Sequence, residues 1–261
     1  MSIMRAGPIL DGQELLETGG GIQNVVNPAT GEVVAEEVCC DADGVRRIVE
    51  ASERAFHDSA WQGLSPADRG RLLLRLADVV EGASECLVEL ELLDTGKPVS
   101  QLRGGELPLT AALLRFYAGA ADKIDGATKN TPGAFHLTMY EPYGVVAGIL
   151  PWNYPLVNVA MKVAPALAAG NAIVLKPSVE TPLATVEFAK LCLKAGIPPN
   201  IVNVVLGSGS LVGDELVAHS KVRKVSFTGS TMVGQTVQKL AADQMKPVNL
   251  ECGGKNAIIV F

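Results

Sequence analysis

Gly144-Val-Val-Ala-Gly-Ile-Leu150, then Pro151-Trp-Asn-Tyr-Pro155, then Leu156 to Gly170, then Asn171-Ala-Ile-Val-Leu-Lys-Pro177 follow one another without a break. The first block is short, apolar and partly β-branched, bounded by Gly144 and Pro151, as in a strand buried on both faces. Ala172 to Leu175 repeats the pattern and stops at Lys176-Pro177, because a residue before proline is pushed out of the helical region. Between them lies a segment of helical length that ends at Gly170, a residue suited to the left-handed helix terminus. Strand, helix, strand in about 30 residues is one βαβ unit, with a right-handed crossover expected. Open parallel sheets hold ligands beyond the carboxyl ends of their strands. Trp152, Asn153 and Lys176 are therefore expected to face one crevice.

Toward the C-terminus the alternation continues. Thr181-Pro182 starts a helix to about Ala195, and Val202 to Leu206 reads as a strand. Gly207-Ser208-Gly209-Ser210-Leu211-Val212-Gly213 then opens a helix. Lys224 to Phe227 is a further strand, and Thr228-Gly229-Ser230 opens another helix. Pro247 to Leu250 and Ala257 to Phe261 read as the last strands, flanking Glu251-Cys252-Gly253-Gly254-Lys255. The fold class is α/β, a doubly wound, Rossmann-like parallel sheet over residues 144–261. An apolar run at the very end predicts a chain cut short of a complete domain.

Toward the N-terminus, residues 1–124 read as a hairpin and a helical layer of the same domain. Asn27-Pro28-Ala29-Thr30-Gly31 is a tight turn between two strands. Asp41 caps a helix from about Asp43 to Trp61, and Ser65-Pro66 starts a second with an apolar stripe of Leu72, Leu73, Leu76, Val79 and Val80. Leu87 to Leu93 continues helical, and a fourth helix spans about Glu106 to Ala121. Residues 125–143 alternate between polar and apolar and carry Gly126, Pro132-Gly133 and Pro142. They predict a protruding β-hairpin of the kind that pairs with another subunit.

Composition narrows the function. The 261 residues are 48% hydrophobic and 19% charged, which is globular rather than disordered. A net charge of −6 argues against nucleic acid or an anionic membrane as partner. Five cysteines without CxxC spacing and three scattered histidines argue against a zinc ribbon or a redox dithiol, and point to a reducing, cytoplasmic setting. Val157 to Leu175 is interrupted by Lys162 and Pro165, so it is not a membrane span.

Single residues leave alternatives open. Gly207-x-Gly209-x-x-x-Gly213 is one residue longer than the dinucleotide fingerprint and reads equally as a tight turn. In Phe227-Thr228-Gly229-Ser230, Gly229 lets backbone approach a phosphate and Ser230 can donate from a helix start; a bare N-cap is the alternative. Lys176 can reach ribose hydroxyls or stay solvated. Asn153 can aim its amide at a developing oxyanion or bond its own turn. Glu251, on the end of a buried strand, suits a general base with a raised pKa. Cys252 then points to the opposite face, into the core.

Taken in order, Pro-Trp-Asn-Tyr-Pro, Lys-Pro-Ser, Phe-Thr-Gly-Ser-Thr and Leu-Glu-Cys-Gly-Gly-Lys resemble the NAD(P)-dependent aldehyde dehydrogenase superfamily. The resemblance runs from about Val25 to the last residue and includes Leu93-Asp94-Thr95-Gly96-Lys97-Pro98. It implies a cysteine thiolate that attacks the aldehyde, Asn153 stabilising the oxyanion, hydride passing to the nicotinamide, and Glu251 activating water. Lys162 matches a lysine that relays protons to that glutamate. Leu150, Pro151 and Trp152 are implied to line the cofactor channel, with Lys176, Ser178 and Val179 by the adenosine ribose. Gly209, Gly213 and Val233 would flank the adenine, and Phe227, Gly229 and Ser230 would meet the pyrophosphate, with Cys252 beside Glu251. Asp94 and the backbone near Val26 match a monovalent-cation site. Val157, Asn158 and Met161 are implied to line the aldehyde tunnel, a roomy one suited to a betaine-aldehyde-like or aminoaldehyde substrate.

Two departures follow from the same resemblance. The nucleophilic cysteine is expected downstream of Glu251, outside this chain, so the chain alone is expected to be inactive. Relatives that prefer NAD carry glutamate three positions after the lysine, where Val179 stands here and Glu180 follows. NAD with weakened discrimination against NADP is the expectation. The full-length protein is expected to be a homodimer or homotetramer. The alternative reading is a non-catalytic nucleotide-binding or oligomerisation module.

Overall fold

Five strands run parallel through the centre of the computed structural model, which describes residues 3–260. The chain enters by β1 (Met4–Ala6), β2 (Ile9–Leu10), β3 (Gln13–Glu14), β4 (Ile22–Val26) and β5 (Val33–Val38). The helical layer follows as α1 (Ala42–His57), α2 (Ser59–Gln62), α3 (Pro66–Gly82), α4 (Ser84–Thr95), α5 (Val99–Gln101), a π-helical turn Leu102–Glu106 and α6 (Leu107–Ala120). A hairpin of β6 (Thr128–Thr131) and β7 (Ala134–Leu137) precedes the alternating part. That part is β8 (Val145–Ile149), α7 (Pro155–Ala168), β9 (Ala172–Lys176), α8 (Leu183–Lys194), β10 (Val202–Val204) and a π turn Gly209–Gly213. It ends with α9 (Asp214–Ala218), β11 (Val222–Gly229), α10 (Thr231–Ala242) and β12 (Val248–Cys252).

The large sheet has the order β12-β11-β8-β9-β10-β2-β3. From β8 the chain winds one way through β9 and β10, then returns to β11 on the other side of β8. The switch of direction therefore lies between the carboxyl ends of β8 and β11, where such sheets open a crevice. β8 and β9 are buried because helices cover both faces, which is why their sequences are continuous apolar runs. β2 and β3 extend this sheet antiparallel from β10, so the first residues belong to the same body as residues 144–252. β1, β5 and β4 form a separate three-stranded sheet, and β6 and β7 pair only with each other.

Local chemistry explains most boundaries. Asp41 caps α1 by accepting from Gly44 N, and Ser65 forms a capping box with Asp68 at α3. The single helix expected to Trp61 breaks at Asp58, whose side chain bonds forward to Ala60 N and starts α2. Gly170, at φ 85°, ends α7 as expected. The helix expected from Glu106 begins earlier, at Val99; Gly104-Gly105 hide that start from a reading by propensity. The hairpin over 125–143 is present and exposed, with Phe135, Leu137, Met139 and Tyr140 open. The strand expected over Ala257 to Phe261 is not formed by residues 257–260, which are exposed and pair with no described strand; Phe261 lies outside the described residues. An apolar run becomes a strand only where a neighbouring edge supplies partners, and no described element does so here. No helix among the described residues is long and apolar enough to cross a membrane.

Candidate functional site

Strand register brings the expected residues to one level. Ile149 pairs with both Lys176 and Phe227, and Phe227 pairs with Leu250. One step beyond that row β8 and β9 leave the sheet at Leu150–Asn153 and Pro177–Ser178, while β11 and β12 stay paired through Gly229 and Cys252 before their turns at Ser230 and Gly253. These turns enclose a cavity of about 800 Å³, within the range of small-ligand and cofactor sites. Every residue expected to contact a cofactor lines it, from Leu150, Pro151, Trp152 and Asn153 to Glu251 and Cys252. Residues without a local signal line it too: Gln23 arrives from β4 in the separate sheet, and Asp214 from α9. Only the folded chain brings them there.

Lys176 is 5% exposed, and its Nζ donates to Pro177 O at 2.9 Å. Burial lowers its pKa, opposed by the carboxylates of Glu37 and Glu180. Glu37, on β5, is itself raised to about 7 by burial, opposed by Lys176 and by a hydrogen bond from the Gly207 backbone. The Ser178 hydroxyl donates to the Glu180 carboxylate, and both groups line the cavity beside Val179. A carboxylate thus stands in this wall although Val179 occupies the expected position. At the other side Ser230 caps α10 by accepting from Val233 N at 3.3 Å.

A second cavity, of about 950 Å³, lies under the base of the hairpin and shares Thr228 and Glu251 with the first. Lys162, from α7, reaches this wall; it is 6% exposed and donates to Ser226 Oγ at 3.1 Å and Thr228 Oγ1 at 2.9 Å. Burial pushes its ammonium down to about 8, and the nearby Glu251 carboxylate opposes that. Gly148 makes room for the lysine stem: a Cβ there would stand 3.4 Å from Lys162 Cδ and 2.9 Å from Leu175 Cδ2.

Several expectations need correction. Glu251 does not sit on a buried strand end, because β12 is the edge strand and the residue is exposed. Cys252 does not enter the core; it is exposed and lines the cleft, with Sγ against Gly234 of α10. Asn158 is buried and donates its amide to Tyr154 O at 2.9 Å, and neither it nor Val157 lines either of these two cavities, whereas Met161 opens into the second one. Apart from these corrections, Asp94 stands outside the lining of the cleft, 2% exposed, and its carboxylate accepts from Leu183 N. No group of three or more His, Cys, Asp or Glu among the described residues could hold a metal ion.

A doubly wound α/β sheet with a crevice at its switch point has the architecture in which open α/β sheets bind their ligands. The sequence matches the profile of the Aldehyde dehydrogenase family over residues 17–261, and the chain belongs to that family. Aldehyde dehydrogenase family 2 member B4, mitochondrial, of Arabidopsis thaliana is 45% identical over 97% of this chain and 47% of its own length. Aminoacetaldehyde dehydrogenase of Pseudomonas aeruginosa is 44% identical over 93% of this chain and 49% of its own. The NAD+ complex structure of aldehyde dehydrogenase from Bacillus cereus superposes with a TM-score of 0.94 at 37% identity, covering 98% of this chain and 52% of that one. The chain spans about half the length of the curated relatives it matches.

Proposed function

We propose that this chain binds NAD along the cleft and forms the cofactor-binding part of an NAD(P)-dependent aldehyde dehydrogenase that oxidises an aldehyde to a carboxylic acid. What carries this is one convergence: the side chains that the motifs assign to the cofactor all line a single cavity at the switch point. The cavity suits a dinucleotide. Val233 N–H is taken by Ser230 Oγ, and the two amides before it, of Thr231 and Met232, have no acceptor within their own helix and can meet a pyrophosphate beside Ser230. A Cβ on Gly209 would meet nothing within 4 Å, so backbone there is open to an adenine.

When bound, NAD would supply the hydride acceptor. Lys176 and Ser178 would hold the adenosine ribose. Leu150, Pro151 and Trp152 would line the nicotinamide end and exclude water. Asn153 would donate its amide to the aldehyde oxygen as charge develops there. Glu251 would take a proton from the attacking water, and Lys162, held by Ser226 and Thr228, would relay protons to that glutamate. The nucleophilic thiol would come from a catalytic domain outside these residues. Cys39, Cys40 and Cys192 are buried, and burial raises all three pKa values, the first two to about 11. Residues 1–124 would serve as the supporting layer of the cofactor domain and 125–143 as an arm whose open apolar side chains pair with a second copy.

Calorimetric titration with NAD is expected to show one saturable site, accompanied by a change in Trp152 emission. No binding at millimolar NAD would sink the proposal. NADP is expected to bind with a comparable dissociation constant, because the Glu180 carboxylate is exposed and screened; a preference for NAD of about a hundredfold would overturn this. Aldehyde and NAD together are expected to yield no NADH with this chain alone. Steady turnover would mean that a thiol within it, Cys252 foremost, has been recruited.

A further inference from the structure

A helix that follows a strand needs acceptors for its first amides, which have none within the helix. α7 and α8 do not provide their own: Tyr154 and Pro182, at their N-caps, make no side-chain cap bond. Both are capped from α4. Glu91 Oε1 accepts from Leu156 N at 2.9 Å, and Asp94 Oδ2 accepts from Leu183 N at 3.0 Å. The two carboxylates lie three residues apart, on one face of α4. They are 1% and 2% exposed.

The neighbourhood tightens the same joint. Lys97 Nζ stands 3.7 Å above the Tyr154 ring and pairs with Glu106, while Gln101 Nε2 lies 3.5 Å from the Tyr154 hydroxyl. At the far end of α7, Trp61 Nε1 donates to Gly170 O at 2.9 Å and Arg69 Nε to Ala168 O at 3.2 Å. The helical layer therefore holds α7 at both ends.

We propose that Glu91 and Asp94 are positioning residues: two prongs of one helix that set the Trp152–Asn153 turn and the Lys176–Ser178 turn at a fixed separation across the cleft. Their effect on cofactor rests on the function proposed above; the clamp itself does not. Burying carboxylates is costly. Burial raises Glu91 to about 7 and Asp94 well above its ordinary value, and Asp94 Oδ1 has no partner. Where only a helix start is needed, this chain uses a local serine, Ser65 for α3 and Ser230 for α10. The costlier device stands at α7 and α8, two of the helices whose preceding turns rim the cleft; the third such helix, α10, keeps its own Ser230 cap. Because one rigid helix carries both prongs, neither turn can shift without straining the other.

In the intact chain, Glu91→Leu and Asp94→Leu are each expected to weaken NAD binding by about tenfold, measured well below the melting temperature. Glu91→Gln and Asp94→Asn keep an acceptor oxygen of the same reach and are expected to stay within about threefold of the parent. Leucine and amide variants that behave alike would overturn the proposal. Amide hydrogen exchange on the unaltered chain decides it independently, also if the leucine variants do not fold. Leu156 N–H and Leu183 N–H are expected to exchange at least about a hundredfold slower than in unfolded chain. Exchange at the unfolded rate would remove the clamp. A parent chain that does not bind NAD would remove the proposed function and leave the exchange rates to decide the clamp.

Discussion

Replacing Lys176 with methionine is expected to weaken NAD binding by about ten- to a hundredfold. Hydrogen bonds from a charged donor contribute roughly 1.5–3 kcal/mol, and about 1.4 kcal/mol corresponds to each factor of ten. Methionine keeps the apolar stem that passes within 3.9 Å of where a Cβ on Gly213 would stand, so the floor of the cavity stays filled. Removal of the ammonium has a second consequence. Lys176 is the cation that opposes the rise in the Glu37 pKa, so Glu37 would hold its proton to still higher pH. Calorimetry of both proteins, with thermal melts to establish folding, checks the effect. An affinity within about threefold of the parent would take Lys176 out of the binding site.

Stability is expected to fall as pH rises from about 5 to above 7. Glu37 and Glu91 have pKa values raised from 4.5 to about 7 by burial, and that of Asp94 is raised as well. In that window the folded chain keeps protons that the unfolded chain has lost. Unfolding then releases protons, and the free energy of unfolding declines with increasing pH. The contribution is fully present below the unfolded pKa and is gone above the folded one. A shift of this size is worth up to about 3 kcal/mol for each of the two glutamates. Urea midpoints across the range would show the decline, and Glu37→Gln and Glu91→Gln would each flatten it. A stability that rises steadily toward neutrality would mean that these carboxylates are ionised in the folded chain.

Much of this architecture is legible in residue order. The runs 145–149 and 172–176 announce buried strands because helices cover both their faces. Gly170, Ser65 and Asp41 mark helix ends by chemistry that acts within a few residues. Motif matching also brought the cleft-lining residues together, because each motif sits at the carboxyl end of its own strand. Longer-range relations escape such reading. Nothing near Gln23 shows that β4 will bring it to the cleft, and nothing near Ile9 shows that two short strands will join the main sheet. The exposure of Glu251 and Cys252 was hidden as well: Val248-Asn249-Leu250 looks like a central strand, and only the pairing order makes it an edge. Glu91 reads as an ordinary helical acid until the helix it caps is seen beside it, and nothing near Asp94, which stands out only by its match to a cation site, shows that it will meet Leu183 N.

The two borders of the large sheet are unequal. On one side β2 and β3 are two residues long each, too short to template anything. On the other, β12 presents five residues whose outer amides and carbonyls no described strand meets. Growth of this sheet is therefore one-sided: an incoming segment, whether from the same polypeptide or another, would dock next to Glu251 and leave the Lys176–Ser178 end of the cavity untouched.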